Sequence, residues 1–130
     1  MIVAYTSLTG NVRSFAHKLS KKLPECEFIE IDRETELDKP YVLLTYTIGF
    51  GQIPVKVSRL LVRSHFHLYG VVGSGERNWG ERFCMAAKII SKKANVPLLH
   101  MFEKRGFDSD VEIVTKKIKE LESQVKVGLL

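Results

Sequence analysis

Cysteine is scarce in this sequence of 130 residues: Cys26 and Cys84 stand far apart, with no C-x-x-C. His17, His65, His67 and His100 add no ligand spacing to them. A zinc module or disulfide scaffold is therefore set aside, no metal site is expected, and a reducing cytoplasm suits the chain. Long hydrophobic runs are missing too, and Met1 leads straight into Ile2-Val3-Ala4-Tyr5 without a basic leader, which reads against secretion and membrane spanning. Nor is charge of one sign gathered anywhere: 20 basic and 15 acidic residues, net +5, are scattered through the chain. Nucleic acid calls for clustered basic residues interleaved with aromatics, so it is not an expected partner. Four prolines and nine glycines punctuate loops singly, leaving no linker, repeat or low-complexity stretch. What remains, 45% hydrophobic and 27% charged, describes a single domain over residues 1–130 whose core needs no staples.

The hydrophobic period switches between short apolar runs and helical stripes, the pattern of an α/β domain. Met1 to Tyr5, Glu27 to Ile31, Tyr41 to Thr45, Leu68 to Gly73 and Pro97 to Phe102 read as strands, several of them rich in Val, Ile and Leu as buried parallel strands are. Val12, Phe15, Ala16, Leu19 and Leu23 share one helical face; Phe83, Ala86, Ala87, Ile90 and Ala94 share another. Val57, Leu60 and Leu61 mark a third helix opened by Pro54. Ser109-x-x-Glu112 reads as a capping box ahead of Val111, Val114, Ile118, Leu121 and Val125. Asp32 to Pro40 is too short and polar for a crossover helix, so an irregular crossover is expected there. The expected architecture is a doubly wound five-stranded parallel sheet, order 2-1-3-4-5, with helices on both faces. Ligands of such sheets sit beyond the carboxyl ends of the strands, where the order reverses between the first and third.

The loops at that edge carry the unusual composition. Thr6-Ser7-Leu8-Thr9-Gly10-Asn11 places hydroxyls, an amide and a glycine just before a helix, where backbone N–H groups bind phosphate without a lysine; a plain helix cap by Thr9 or Asn11 is the alternative reading. Thr45-Tyr46-Thr47-Ile48-Gly49-Phe50-Gly51-Gln52-Ile53-Pro54 has no charged side chain, and its glycines permit positive φ and close approach to a flat ligand. Gly73-Ser74-Gly75-Glu76-Arg77-Asn78-Trp79-Gly80 holds the lone tryptophan, which either faces a ligand or lids the core. Neither G-x-G-x-x-G nor G-x-x-x-x-G-K-[ST] occurs. Together the loops suit a phosphorylated planar ligand, with FMN the natural candidate.

Ser7-x-Thr9-Gly10-Asn11 resembles the flavodoxin phosphate loop, with Val12 where flavodoxins usually carry a further threonine. Thr45-Tyr46-Thr47-x-Gly49-Phe50-Gly51-x-x-Pro54, Gly75-x-Arg77-Asn78-Trp79-Gly80, Val96-Pro97 and Phe102-Glu103 resemble more closely the NrdI family, flavodoxin-like activators of class Ib ribonucleotide reductase. That resemblance covers nearly the whole chain and includes the short second crossover. It implies a flavodoxin-like fold and an FMN-binding redox accessory protein. In such a protein the reduced flavin, supplied with electrons by an upstream reductant, reacts with dioxygen and delivers superoxide or peroxide to the dimanganese site of the reductase's small subunit. The metal then belongs to that partner, and no residue of this chain is expected to be catalytic in itself, since the cofactor carries the chemistry.

The roles that follow are expectations. Ser7, Thr9, Gly10 and Asn11, with the backbone of Leu8 and Val12, hold the phosphate. Tyr46, Thr47, Gly49 and Gly51 line the ring edge, and Trp79 or Phe50 stacks on a face. Ser74, Gly75, Asn78 and Gly80 complete the cofactor set. Cys84, on the apolar side of a helix, reads as a buried hydrophobe. The competing readings are a general flavodoxin electron carrier and an interaction module without flavin. A phosphoacceptor receiver domain shares the strand order, but Thr6-Ser7 and Thr45 stand where it needs aspartates.

Overall fold

The computed structural model describes residues 1–129. Five strands form one parallel sheet in the order β2-β1-β3-β4-β5: β1 Ile2–Tyr5, β2 Glu27–Glu30, β3 Tyr41–Thr45, β4 Leu68–Gly75 and β5 Leu98–Glu103. β1 pairs with β2 from Ile2 opposite Glu27, and with β3 from Ile2 opposite Tyr41. All five residues of β3 are buried, because both of its faces are covered and both of its edges are paired.

Helices α1 (Asn11–Lys22) and α4 (Asp108–Lys126) cover one face. There Phe15 and Leu19 meet Val3, Val42, Val72, Val114 and Ile118, and the Phe15 and Phe102 rings stack at 4.0 Å. Helices α2 (Val55–Ser64) and α3 (Met85–Ala94) cover the other, burying Val57, Leu60, Ala87 and Ile90 against Ala4, Leu43 and Val71. Most residues of the predicted stripes are buried against the sheet, while Leu61, Ala94 and Val125 are half-buried at the edges. No helix among the described residues is long and apolar enough to cross a membrane.

The crossover from β2 to β3 contains no helix. Its place is taken by a polar turn: the Asp32 carboxylate accepts the Glu34 N–H at 2.8 Å and the Thr35 hydroxyl at 3.0 Å. The segment is then fastened to α2. The Arg33 carbonyl accepts from Arg59 Nε and Arg63 Nη1, and the buried Ser64 hydroxyl oxygen accepts the Leu37 N–H at 2.7 Å. Leu37 and Ile31 thereby reach the core without a helix to carry them.

Three details differ from the sequence expectation. β4 runs on to Gly75, because Ser74 and Gly75 pair with Phe102 and Glu103. Cys84 is not within α3 but caps it in the left-handed conformation, φ 54°, leaving Phe83 outside the helix as well. α4 begins at Asp108, so the Ser109-x-x-Glu112 box does not form; instead the Asp110 carboxylate accepts the Phe107 N–H at 2.7 Å, fixing the helix start two residues early.

Candidate functional site

A cleft of about 240 Å³ opens beyond the carboxyl ends of β1, β3 and β4, at the point where the strand order reverses. It is walled by the loops that follow those three strands.

On the β1 side the chain turns through Ser7–Gly10 into α1. Gly10, at φ 92°, is the N-cap, and it supplies no side-chain acceptor. The Ser7 hydroxyl oxygen accepts the Gly10 N–H at 3.1 Å, which tightens the turn before the helix. The simple helix cap by Thr9 or Asn11 is not formed, and the first turn of α1 contains no acidic residue. The opening N–H groups of the helix are left for another acceptor, with the positive end of the helix dipole behind them. Arg13, in that first turn, is held aside by the Glu30 carboxylate through paired contacts of 2.8 Å.

On the β3 side Ile48 and Gln52 form an isolated antiparallel bridge that closes the loop into a small ring. Gly49 at φ 58° and Gly51 at φ 119° make that ring possible, and Gly51 backs directly onto Met85. Thr47 is fixed by the start of α3, its hydroxyl oxygen accepting the Ala86 N–H at 3.0 Å. Tyr46 is half-buried, and that burial raises the pKa of its phenol.

On the β4 side the Ser74 hydroxyl donates to the Lys104 carbonyl and the Lys104 N–H donates to the Gly75 carbonyl at 2.8 Å, anchoring the strand end to β5. The following residues form a 3₁₀ turn, Arg77–Arg82. Trp79 is 38% exposed and lines the cleft, so it does not lid the core. Arg77 lies over the Phe83 ring at 4.9 Å and Arg82 over the Phe50 ring at 5.5 Å.

Of the residues expected from sequence, the structure brings Ser7, Leu8, Thr9, Asn11, Val12, Tyr46, Thr47, Gly49, Ser74, Gly75 and Trp79 into one lining. Gly10, Phe50, Gly51, Asn78 and Gly80 lie outside it. Phe50, 80% exposed, and Asn78 line an adjoining hollow of about 390 Å³ that Gly49, Trp79 and Arg82 share. Two lining residues escaped the sequence reading, Ile48 and Glu76. Ile48 stood inside an apolar loop between two better-marked residues. Glu76, exposed in a glycine-rich loop, reads from sequence as a solvated charge, yet it lines the same cleft. Cys84 lies behind this wall: burial pushes its thiol up to about 12, so it stays protonated.

The fold and this cleft define a flavodoxin-like α/β domain. Solved structures agree on the fold. A short-chain flavodoxin associated with a PDU bacterial microcompartment superposes with TM-score 0.69 at 22% identity, covering 88% of this chain and 90% of its own. Oxidised flavodoxin 2 from Bacillus cereus gives 0.62 at 21%, covering 88% and 92%. Within that class, residues 3–116 match the family model described as NrdI flavodoxin-like. Protein NrdI of Macrococcus caseolyticus is 39% identical over 121 residues, 93% of this chain and 91% of the relative. Protein NrdI of Bacillus licheniformis is 38% identical over 117 residues, 90% and 86%. The chain belongs to the NrdI flavodoxin-like family, and that membership implies flavin binding.

Proposed function

We propose that this protein binds FMN in the cleft between the β1, β3 and β4 loops and serves as the redox activator of a class Ib ribonucleotide reductase. The observation that carries the reading is the start of α1: an uncapped helix end, free of acidic residues, flanked by Ser7, Thr9 and Asn11 and opening into a cleft whose other walls set Tyr46, Ile48 and Trp79 beside two glycines, with Glu76 the one acidic residue of the lining. A phosphate fits the first part and a flat ring the second. Bound and reduced, the flavin supplies the electrons with which dioxygen becomes superoxide or peroxide for the dimanganese site of the reductase's small subunit.

The chain's own contribution is binding and orientation. Ser7, Thr9 and Asn11, with the backbone of Leu8 and Val12, hold the phosphate, and Gly10 turns the chain into α1. Tyr46, Thr47 and Gly49 follow the ring edge, and Trp79 covers a face from the β4 side, with Ser74 and Gly75 at its base. The positive end of the α1 dipole favours negative charge on the ligand, while Glu76 opposes it from the far wall. Phe50 and Asn78 shape the rim, Gly51 and Gly80 turn the loops behind it, and Phe50 with Arg82 over its ring is exposed toward a partner. No thiol takes part, since neither cysteine lines the cleft.

An anaerobic dithionite titration of FMN-loaded protein tests the reading, with Trp79 fluorescence as an independent report of binding. The expected result is quenching on FMN addition, little one-electron-reduced flavin, and superoxide or peroxide on admitting oxygen. Dominant accumulation of the one-electron form would assign an ordinary electron carrier. Absence of FMN binding would leave an interaction module.

A further inference from the structure

Gln52 is absent from the lining of the cleft, yet it organises the loop that walls it. Its backbone closes the ring with Ile48, the Ile48 N–H donating to the Gln52 carbonyl at 3.0 Å and the Gln52 N–H to the Ile48 carbonyl at 2.8 Å. Its side chain then folds back across that ring, where Oε1 accepts the Phe50 N–H at 3.0 Å. The same oxygen occupies the space that a side chain on Gly49 would enter, so a larger residue there would push the Gln52 amide aside, and the positive φ favours glycine in any case.

The Gly49–Phe50 peptide is trans, so its N–H and its carbonyl point in opposite directions. With the N–H committed to Gln52, the carbonyl of Gly49 turns away from Gln52. Gly49 lines the cleft and Gln52 does not. We propose that Gln52 is a positioning residue: by holding the Phe50 N–H it makes the loop present a carbonyl acceptor to the bound flavin in place of an N–H donor. An acceptor at the ring edge favours a flavin that carries a proton on its ring nitrogen, and uptake of two electrons adds that proton. Gln52 thus biases the site toward reduced FMN through the peptide it holds, without touching the ligand. The inference rests on the FMN reading of the cleft.

Two substitutions separate this role from general support of the loop. Gln52→Met keeps the length of the side chain and removes the amide acceptor. Gln52→Glu keeps an oxygen acceptor at the same place. Amide hydrogen exchange of Phe50 in flavin-free protein is expected to quicken about tenfold in Gln52→Met and to hold near its original rate in Gln52→Glu, as loss or retention of one hydrogen bond requires. Spectroelectrochemistry of the FMN-loaded proteins is expected to show about a tenfold loss of preference for reduced over oxidised flavin in Gln52→Met, a fall of about 30 mV for a two-electron couple. Unchanged exchange at Phe50 in Gln52→Met overturns the clamp. Faster exchange with an unaltered potential overturns the positioning role. If the unsubstituted protein fails to take up FMN, the reading of the cleft falls and the positioning role with it; the exchange result, which needs no flavin, identifies that failure separately.

Discussion

The backbone N–H of Ala86, in the first turn of α3, donates to the hydroxyl oxygen of Thr47, a residue of the cleft lining, at 3.0 Å. This bond joins the β3 loop to the helix that follows the β4 loop, so the position of Thr47 depends on the start of α3. Thr47→Val keeps the shape of the side chain but leaves Ala86 without its acceptor. The expected cost is about 1–2 kcal/mol in urea unfolding, with FMN affinity falling alongside, and Thr47→Ser restoring both. Equal stability of the Val variant would mean that water replaces the hydroxyl without loss.

Thr9 presents the opposite case, an exposed residue beside an uncapped helix end. On the FMN reading of the cleft, its value lies in ligand binding and not in the fold. Thr9→Ala is expected to unfold at the same urea concentration and to bind FMN roughly tenfold to a hundredfold more weakly, the worth of one charge-assisted hydrogen bond of about 1.5–3 kcal/mol. Calorimetric titration with FMN and with riboflavin isolates the phosphate contribution: the variant's loss should appear with FMN alone.

The contrast between these threonines shows what was legible in the sequence. The strands and both helical faces follow from periodicity, the strand order from the doubly wound architecture they suggest, and the position of the cleft from the rule that ligands sit where that order reverses; the residues that mark them are apolar runs and loop glycines. The partner of Thr47 was not legible. Ala86 reads as a core position of a helix, and nothing in a one-dimensional pattern says that its N–H faces a loop 39 residues away. Glu76 was hidden for a related reason, since an acidic residue in a glycine-rich loop reads as solvated until the loop is folded. Cys84 looked like a helical core residue because its spacing to Ala87 is helical, although its backbone is left-handed. Sequence pattern reports which faces are buried; it does not report which backbone groups are spent in a turn.

The start of α4 gives a pH-dependent element remote from the flavin chemistry. Asp110 Oδ1 lies 2.7 Å from His100 Nε2, and Oδ2 accepts the Phe107 N–H at 2.7 Å. Partial burial alone would raise the Asp110 pKa, but the Phe107 N–H, then His100 and the more distant Arg77, outweigh it and hold the carboxyl below its ordinary value of 3.8. A carboxylate whose pKa is lower in the folded state stabilises above its unfolded pKa and loses that stabilisation as pH falls through the folded value. Asp110→Asn is therefore expected to be less stable than the unsubstituted chain at pH 7, with the gap closing as the pH drops below 3.8. Urea unfolding across that range checks it, and a gap that persists undiminished at pH 2 would assign the effect to shape instead of charge.

Gly73 and Gly70 lie on the same strand and make a matched pair for testing how packing reaches the cleft. A Cβ on Gly73 would stand 2.8 Å from the Ala87 Cβ and 2.9 Å from the Cys84 Cβ, against the start of α3, where neither atom has a flexible end to yield. The helix itself must move, and it carries the Ala86 N–H that holds Thr47. A Cβ on Gly70 would meet Leu99 Cδ1 at 2.9 Å and Leu121 Cδ1 at 3.3 Å, the tips of side chains that can turn aside. Gly73→Ala is expected to cost about 1–3 kcal/mol, the usual penalty of overpacking a filled core, and to weaken FMN binding as well. Gly70→Ala is expected to cost less and to leave FMN affinity unchanged, since its neighbours belong to β5 and α4 and not to the cleft. Urea unfolding and FMN titration of both variants decide the matter: equal losses of affinity would mean that β4 transmits strain along its whole length, and a loss confined to Gly73→Ala would place the coupling in the contact between β4 and the first turn of α3.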